Sequence, residues 1–499
     1  MEQSNEITGK AFPAGRRELI FGCLLLVICM LMINCIFFGG FYLGFAITSI
    51  LCILCSSAYL LSSGCKPSAY SFILLILSLV ISASFARSDD TLVKLVMVCF
   101  LFISTNLGLC LMAGKNKHHP NTVNSLMDAF SSFFSLGIGE MPSSGRQISS
   151  AFRSSGNLGQ KGIAILLGLG IALPVLLIIV PLLMQADAAF EGMLRYLPQL
   201  SVRELICTVL FGFCLAFVLY TRNTALRHKE IPHIPQKSRK GMSPLTVNTV
   251  LITVCLVYCA YLVSQLAYFT GGFAGVLPEN YTLAQYARRG FFEMAWLCAI
   301  NLSIISFSLS LCAKGKTAPL STRLLCLFIG IVTLFLVITA SMKMLLYIES
   351  FGLTRLRVLT QVIMIFLGIS TAVVCVWLFV PKLPYMKVIV ITALILGAAV
   401  SWMDVDTQVA RYNVSRYLEG NAQTVDVDYL NSLGDGVVHY IAELAQEAPD
   451  PEIAESAQTI LDNRWTAAPE DFRDWNYVNH IAAEILGDPL EAAVDTEFH

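Results

Sequence analysis

Charge is scarce in this chain: 13% of its 499 residues are Asp, Glu, Lys or Arg, about half the share of an average soluble domain. With 56% of residues hydrophobic and a mean hydropathy of +0.69, a soluble globular chain is excluded and a membrane protein remains. Familiar chemical signatures are missing as well. No Walker A loop, HExxH, GxSxG or glycine-rich dinucleotide fingerprint occurs, which removes the enzyme classes built on those motifs and no others. Cysteine is absent after residue 375, and nearly all sixteen cysteines fall inside apolar runs, the usage of a small hydrophobe and not of a disulfide framework. Cys52 and Cys55 form a CxxC, but no second pair or histidine stands near them in sequence, so no metal and no cofactor is expected. No small-x-small cleavage site follows the apolar run behind Arg16 and Arg17, which reads as a retained first span and not a signal peptide.

What is present is a series of long uncharged runs. A bilayer core of about 30 Å takes roughly 20 apolar residues per helix, and runs of that length predict spans at 19–37, 42–62, 70–86, 91–113, 162–184, 202–220, 246–268, 289–312, 323–346, 359–381 and 385–402. Only Gly39-Gly40 divides the charge-free stretch 19–62 into a helical hairpin. The expected fold is all-α: a polytopic transmembrane helix bundle of about eleven spans over residues 1–402, followed by a small C-terminal helical extramembrane domain over 403–499.

Lys and Arg collect on the cytoplasmic side of membrane proteins. With eleven spans and the N-terminus inside, twenty bases fall on the inner side and nine on the outer, which predicts a cytoplasmic N-terminus and an extracytoplasmic C-terminus in the cell membrane. Residues 403–499 carry twenty acids, four Arg and no Lys. Such a tail does not bind nucleic acid or anionic lipid; the expected partners are the lipid bilayer and an envelope protein met through the C-terminal domain.

Between the fourth and fifth spans, Val123, Leu126, Met127, Phe130, Phe133, Phe134 and Leu136 repeat at helical spacing, predicting an interfacial helix over about 121–137. Residues 141–160 read as flexible loop, and 221–245 as a cytoplasmic basic loop. The tail reads as helices at about 424–447, 451–465 and 470–487, with Asp450 capping the second.

Ionisable groups at membrane depth are costly and therefore candidate sites. Glu293 lies one turn into the eighth span with Arg289 at i−4, and Asn301 is eight residues on, expected on the same face. Lys343 is near the outer end of the ninth span, where snorkelling explains it. Gln265 and Tyr268 end the seventh. By the same topology Arg288, Tyr347, Glu349, Arg355, Arg357, Asp406, Arg411, Tyr412 and Asn413 share the outer side. This cluster builds either a polar pocket or an ion-paired seat on which the acidic tail docks, and the excess acid of the tail favours docking.

The segments YTLAQYARRGFFEM at 281–294, YIESFGLTRLRVLTQ at 347–361, DVDTQVARYNVSRYL at 404–418 and VDVDYLNSLGDGVVHYI at 425–441 resemble those of uncharacterised bacterial multi-pass membrane proteins catalogued as domain of unknown function 4173, close to type 4153. The resemblance covers the second half of the chain well and implies a bacterial cell-membrane protein with no assigned reaction, substrate or cofactor. Three functions fit the residues: a non-catalytic envelope sensor, scaffold or accessory subunit; a secondary transporter; and a lipid-substrate envelope transferase using Glu293, Glu349, Asp404 or Asp406 beside the arginines. The first is preferred, because Gly168, Gly170 and Pro174 interrupt one span without a counterpart elsewhere and no spacing demands catalysis.

Overall fold

The computed structural model describes residues 15–87, 89–154, 202–229, 242–273, 291–312, 318–464 and 472–486, with the single positions 179 and 183. All regular structure among them is helical. Nine of the described helices are long and apolar enough to cross a membrane, and Ala69–Ser84 is a shorter apolar helix. Every predicted span within the described residues coincides with one of these ten. The predicted span 162–184 lies outside them but for Ile179 and Leu183. The chain packs into two compact units, one of residues 1–233 with 466–499 and one of residues 234–465.

The first unit is built from α1 (Arg16–Phe38), α2 (Leu43–Leu61), α3 (Ala69–Ser84), α4 (Thr91–Met112), α5 (Asn124–Ser131), a π-helical segment (Ser132–Ile138), α6 (Met141–Ser154) and α7 (Val202–His228). Short polar turns end the apolar runs and start the next: Ser68 accepts from the Ser71 amide to cap α3, and Asp90 from the Val93 amide to cap α4, supplying acceptors that a helix start lacks. Association of membrane helices relies on close packing and hydrogen bonds, since lipid is as apolar as the helix faces. Accordingly Gly212 of α7 meets the Met30 backbone of α1 so closely that a Cβ there would lie 2.8 Å from the Met30 Cα. Ser78 and Ser104 share a 2.7 Å hydrogen bond between α3 and α4.

Two expectations are corrected here. Residues 141–154 form α6 and not a loop. The basic loop expected from residue 221 begins later, because α7 runs on to His228 with Thr221 through Leu226 buried. Arg227 is absorbed by a 2.6 Å ion pair with Glu18 and lies over the Tyr59 ring, so a base that reads as loop from sequence ends a buried helix.

The second unit comprises α8 (Pro244–Phe273), α9 (Phe291–Cys312), α10 (Leu320–Phe351), α11 (Arg355–Phe379), α12 (Tyr385–Met403), α13 (Val405–Leu418), α14 (Val427–Asn431), a 3₁₀ turn (Asp435–Val437), α15 (Val438–Glu447) and α16 (Pro451–Asn463). The long α10 is central and packs on α8, α9 and α11. Its buried face includes Cys326, Ile329, Leu336 and Ala340, while Leu256, Val257 and Val263 on α8 and Ile338 on α10 point outward, as lipid-facing residues do. The broad predicted helix 424–447 is broken at Gly434 into α14, the 3₁₀ turn and α15; Asp450 caps α16 through the Glu452 amide at 3.0 Å.

The last described helix, α17 (Tyr477–Leu486), belongs to the first unit. The Trp475 carbonyl accepts from the Leu43 amide at the start of α2, and the Tyr477 amide donates to the Ala86 carbonyl just past α3, both at 3.0 Å. This segment thus satisfies main-chain groups left open at helix ends. It sits where α1 ends and α2 begins. Arg17, bonded to the Ser62 carbonyl, marks the opposite end of the same bundle.

Candidate functional site

The turn between α10 and α11 is the place where the sequence-predicted polar residues converge. Gly352 adopts φ +76, a left-handed conformation that glycine takes without steric cost. Thr354 then caps α11 through the Arg357 amide. Asn413 of α13 grips this turn at both ends of one residue: its Oδ1 accepts from the Leu353 amide at 2.7 Å and its Nδ2 donates to the Leu353 carbonyl at 2.8 Å. A side chain at residue 352 would collide with it, since a Cβ there would lie 2.6 Å from the Asn413 Oδ1.

The C-terminal carbonyls of α10 have no intrahelical partner, and two arginines take them. Arg416 donates to the Glu349 carbonyl at 2.8 Å. Arg357 donates to the Phe351 carbonyl at 3.1 Å and to that of Gly352, with its guanidinium 4.2 Å over the Tyr347 ring. Tyr412 accepts from Arg416 at 3.4 Å.

Beside these, Arg355 forms a fork with Asp406: Nε donates to Oδ1 at 2.7 Å and Nη2 to Oδ2. The Asp406 side chain is 2% exposed and that of Arg355 32%. A buried carboxylate needs every oxygen satisfied, and the Gly434 amide completes the set at 2.9 Å. The Tyr429 hydroxyl accepts from the Arg355 amide at 2.9 Å. Burial pushes its phenol above the ordinary range. Arg464 closes the arrangement from α16, bonding the Leu433 carbonyl and Asp435 at 3.0 and 3.1 Å. The α13 helix is reached through Asp404, whose φ of +51 turns the chain sharply after α12.

Of the predicted residues, the structure brings together Tyr347, Arg355, Arg357, Asp406, Tyr412 and Asn413, with Glu349 contributing its carbonyl while its side chain is exposed. Arg411 is exposed on α13, and Lys343 is half-buried one turn before Tyr347. The expected shared face of Glu293 and Asn301 is corrected: Glu293 is exposed, whereas Asn301 is fully buried between the Tyr258 hydroxyl at 2.6 Å and Thr333 Oγ1 at 2.9 Å. Eight residues advance a helix by about 80° past whole turns, enough to separate a lipid-side group from a core group. Arg288 and Arg289 lie outside the described residues, as do the side chains of Gln265 and Tyr268. Sequence reasoning missed Gly352, Arg416, Tyr429, Gly434 and Arg464. Only Gly352 carries a sequence signal, a glycine directly after a helical run.

Among the described residues no three His, Cys, Asp or Glu side chains gather in a way that holds a metal ion. The arrangement is a clasp: donors meet main-chain carbonyls, and the carboxylate meets an arginine and an amide. The sequence model of a family described as Domain of unknown function (DUF4153) matches residues 23–444. The chain belongs to this family. The match is to the type that the resemblance set beside 4173. In this DUF4153 protein the matched region contains the clasp residues from Tyr347 to Gly434 and ends within α15, leaving Arg464 and α17 outside it. No curated protein and no solved structure matches the chain significantly.

Proposed function

We propose that this integral membrane protein is a non-catalytic envelope sensor, scaffold or accessory subunit, which holds its C-terminal helices on the outer membrane face for a partner protein. The single observation that carries the reading is the state of Asp406 and Arg355. A transferase would keep such a carboxylate and arginine open to substrate, whereas these two are consumed by each other and by the Gly434 amide. The outward orientation is supported by charge. Arg16, Arg17, Lys66, Lys115, Lys117, Arg227 and Lys229 share the end of the first unit opposite residues 472–486, and the basic end faces the cytoplasm by the positive-inside rule.

In-cell photo-crosslinking from Glu455 and Thr459, both exposed on α16, tests this reading. The expected result is one discrete protein adduct that survives Asn301→Leu, a change in the membrane core, and is lost in Arg355→Ala. Absence of any adduct, or one indifferent to Arg355→Ala, contradicts it.

A further inference from the structure

The membrane part of the first unit contains a charge that its neighbours do not neutralise. Arg222 of α7 is 2% exposed, and its Nε and Nη2 find no hydrogen-bond partner. No Asp or Glu among the described residues forms an ion pair with it; the groups in electrostatic reach are the thiols of Cys52 on α2 and Cys110 on α4. An arginine inside a bilayer is expensive even when paired, and a buried charge without a counter-charge costs several kcal/mol.

Its surroundings are polar and equally unfinished. Asn223 donates to Ser56 Oγ at 3.3 Å and to the Leu219 carbonyl, but its Oδ1 is without a partner. The neighbouring Thr221 Oγ1 is also unpartnered. A Cβ on Gly137 in the π-helical segment would come within 3.7 Å of the Arg222 Cβ, so that segment passes directly beside the arginine. π-Helical turns of this kind recur at functional sites. Along the same stretch Met127, Phe130, Phe134 and Ile138 are exposed, an apolar edge of the kind that seats in a lipid surface.

A guanidinium offers planar paired donors that match the oxygens of a phosphate, and hydroxyl groups add further donors. We infer that the first unit binds a phosphate-class oxyanion at Arg222, with the adjacent Thr221 as a supporting donor and the π-helical segment beside the site. Bound there, the anion supplies the missing counter-charge. The same chemistry is offered by an anionic lipid headgroup and by a soluble phosphate.

Thermal unfolding of the full chain, purified in maltoside detergent and stripped of lipid, tests the inference with inorganic phosphate, phosphatidylglycerol and the phosphate-free lipid diacylglycerol as probes. Wild type is expected to gain several degrees with a phosphate-bearing probe and nothing with diacylglycerol, because a ligand that binds the native state stabilises it. Arg222→Met, which removes the buried charge, is expected to fold and to lose the gain. A gain with phosphatidylglycerol alone assigns a headgroup; a gain with inorganic phosphate as well assigns a general oxyanion site. No gain with either, or an equal gain in Arg222→Met, overturns the inference. Should Arg222→Met not fold, native mass spectrometry of wild type decides: a retained phosphate or phosphatidylglycerol mass upholds the site, and its absence removes it.

Discussion

Arg355→Ala is expected to cost about 3–5 kcal/mol, and Asp406→Asn only about 1–2 kcal/mol. The asymmetry follows from exposure. Removing the arginine strands a carboxylate whose side chain is 2% exposed, with the Gly434 amide as its remaining hydrogen-bond donor among these contacts. Removing the carboxylate's charge leaves an arginine 32% exposed, which can turn to water, while Asn still accepts from Gly434. Replacing both with apolar groups, Arg355→Met with Asp406→Leu, recovers much of the larger loss, because a buried pair exchanged for packed side chains is often close to neutral. Unfolding in detergent measures all three. Equal losses in the two single variants, or no recovery in the double variant, would show that the pair is not the clasp described above.

Gly39→Ala gives the second large effect, the release of residues 472–486 from the first unit. Gly39 has φ −114, which alanine adopts freely, so the penalty is purely steric. A Cβ there would lie 2.5 Å from the Arg473 Cβ and 2.6 Å from its carbonyl carbon and oxygen. Gly44→Ala strikes the same segment, at 2.7 Å from Cys35 Sγ and 3.0 Å from the Arg473 Cα. Backbone cannot swing aside as a side-chain tip does, and overpacking of this kind costs about 1–3 kcal/mol, enough to open a locally docked segment. Hydrogen exchange at the Leu43 and Tyr477 amides, which are bonded to Trp475 and Ala86, is expected to accelerate at least tenfold, on the order of 1.4 kcal/mol of lost protection. Gly64→Ala is the control. Its φ of +84 brings backbone strain, but no atom lies within 4 Å of the added carbon, so protection at Leu43 and Tyr477 stays as in wild type.

The membrane helices were legible because charge-free runs of about twenty residues have few other uses, and even the tight break after Phe38 was marked by Gly39-Gly40. The same signal misled at α7. Arg222 and Arg227 read as the start of a basic loop, since sequence cannot show that Glu18 comes back to pair with Arg227 across 209 positions. In the tail, α13 went unrecognised although Val405, Val409, Val414 and Tyr417 recur at helical spacing on its buried face; the charged residues between them drew attention as a cluster and hid the period. Of the candidate site, Arg355, Arg357, Asp406, Tyr412 and Asn413 were named from sequence as outer-face polar groups. Their partners were not, because Gly352, Leu353, Phe351 and Gly434 take part through main-chain atoms, which leave no trace in residue type.

The proposed role requires that α13–α16 lie outside the membrane, at the end of the second unit opposite Arg323, Lys382 and Lys387. Impermeant maleimide labelling of intact cells tests it, using two proteins that each retain one cysteine. One keeps the native Cys65 in the turn between α2 and α3; the other carries Ser456→Cys on the exposed face of α16. Labelling is expected at residue 456 in intact cells and at Cys65 only after permeabilisation. Labelling of Cys65 with protection of residue 456 would invert the protein in the membrane and contradict the proposed outer-face role.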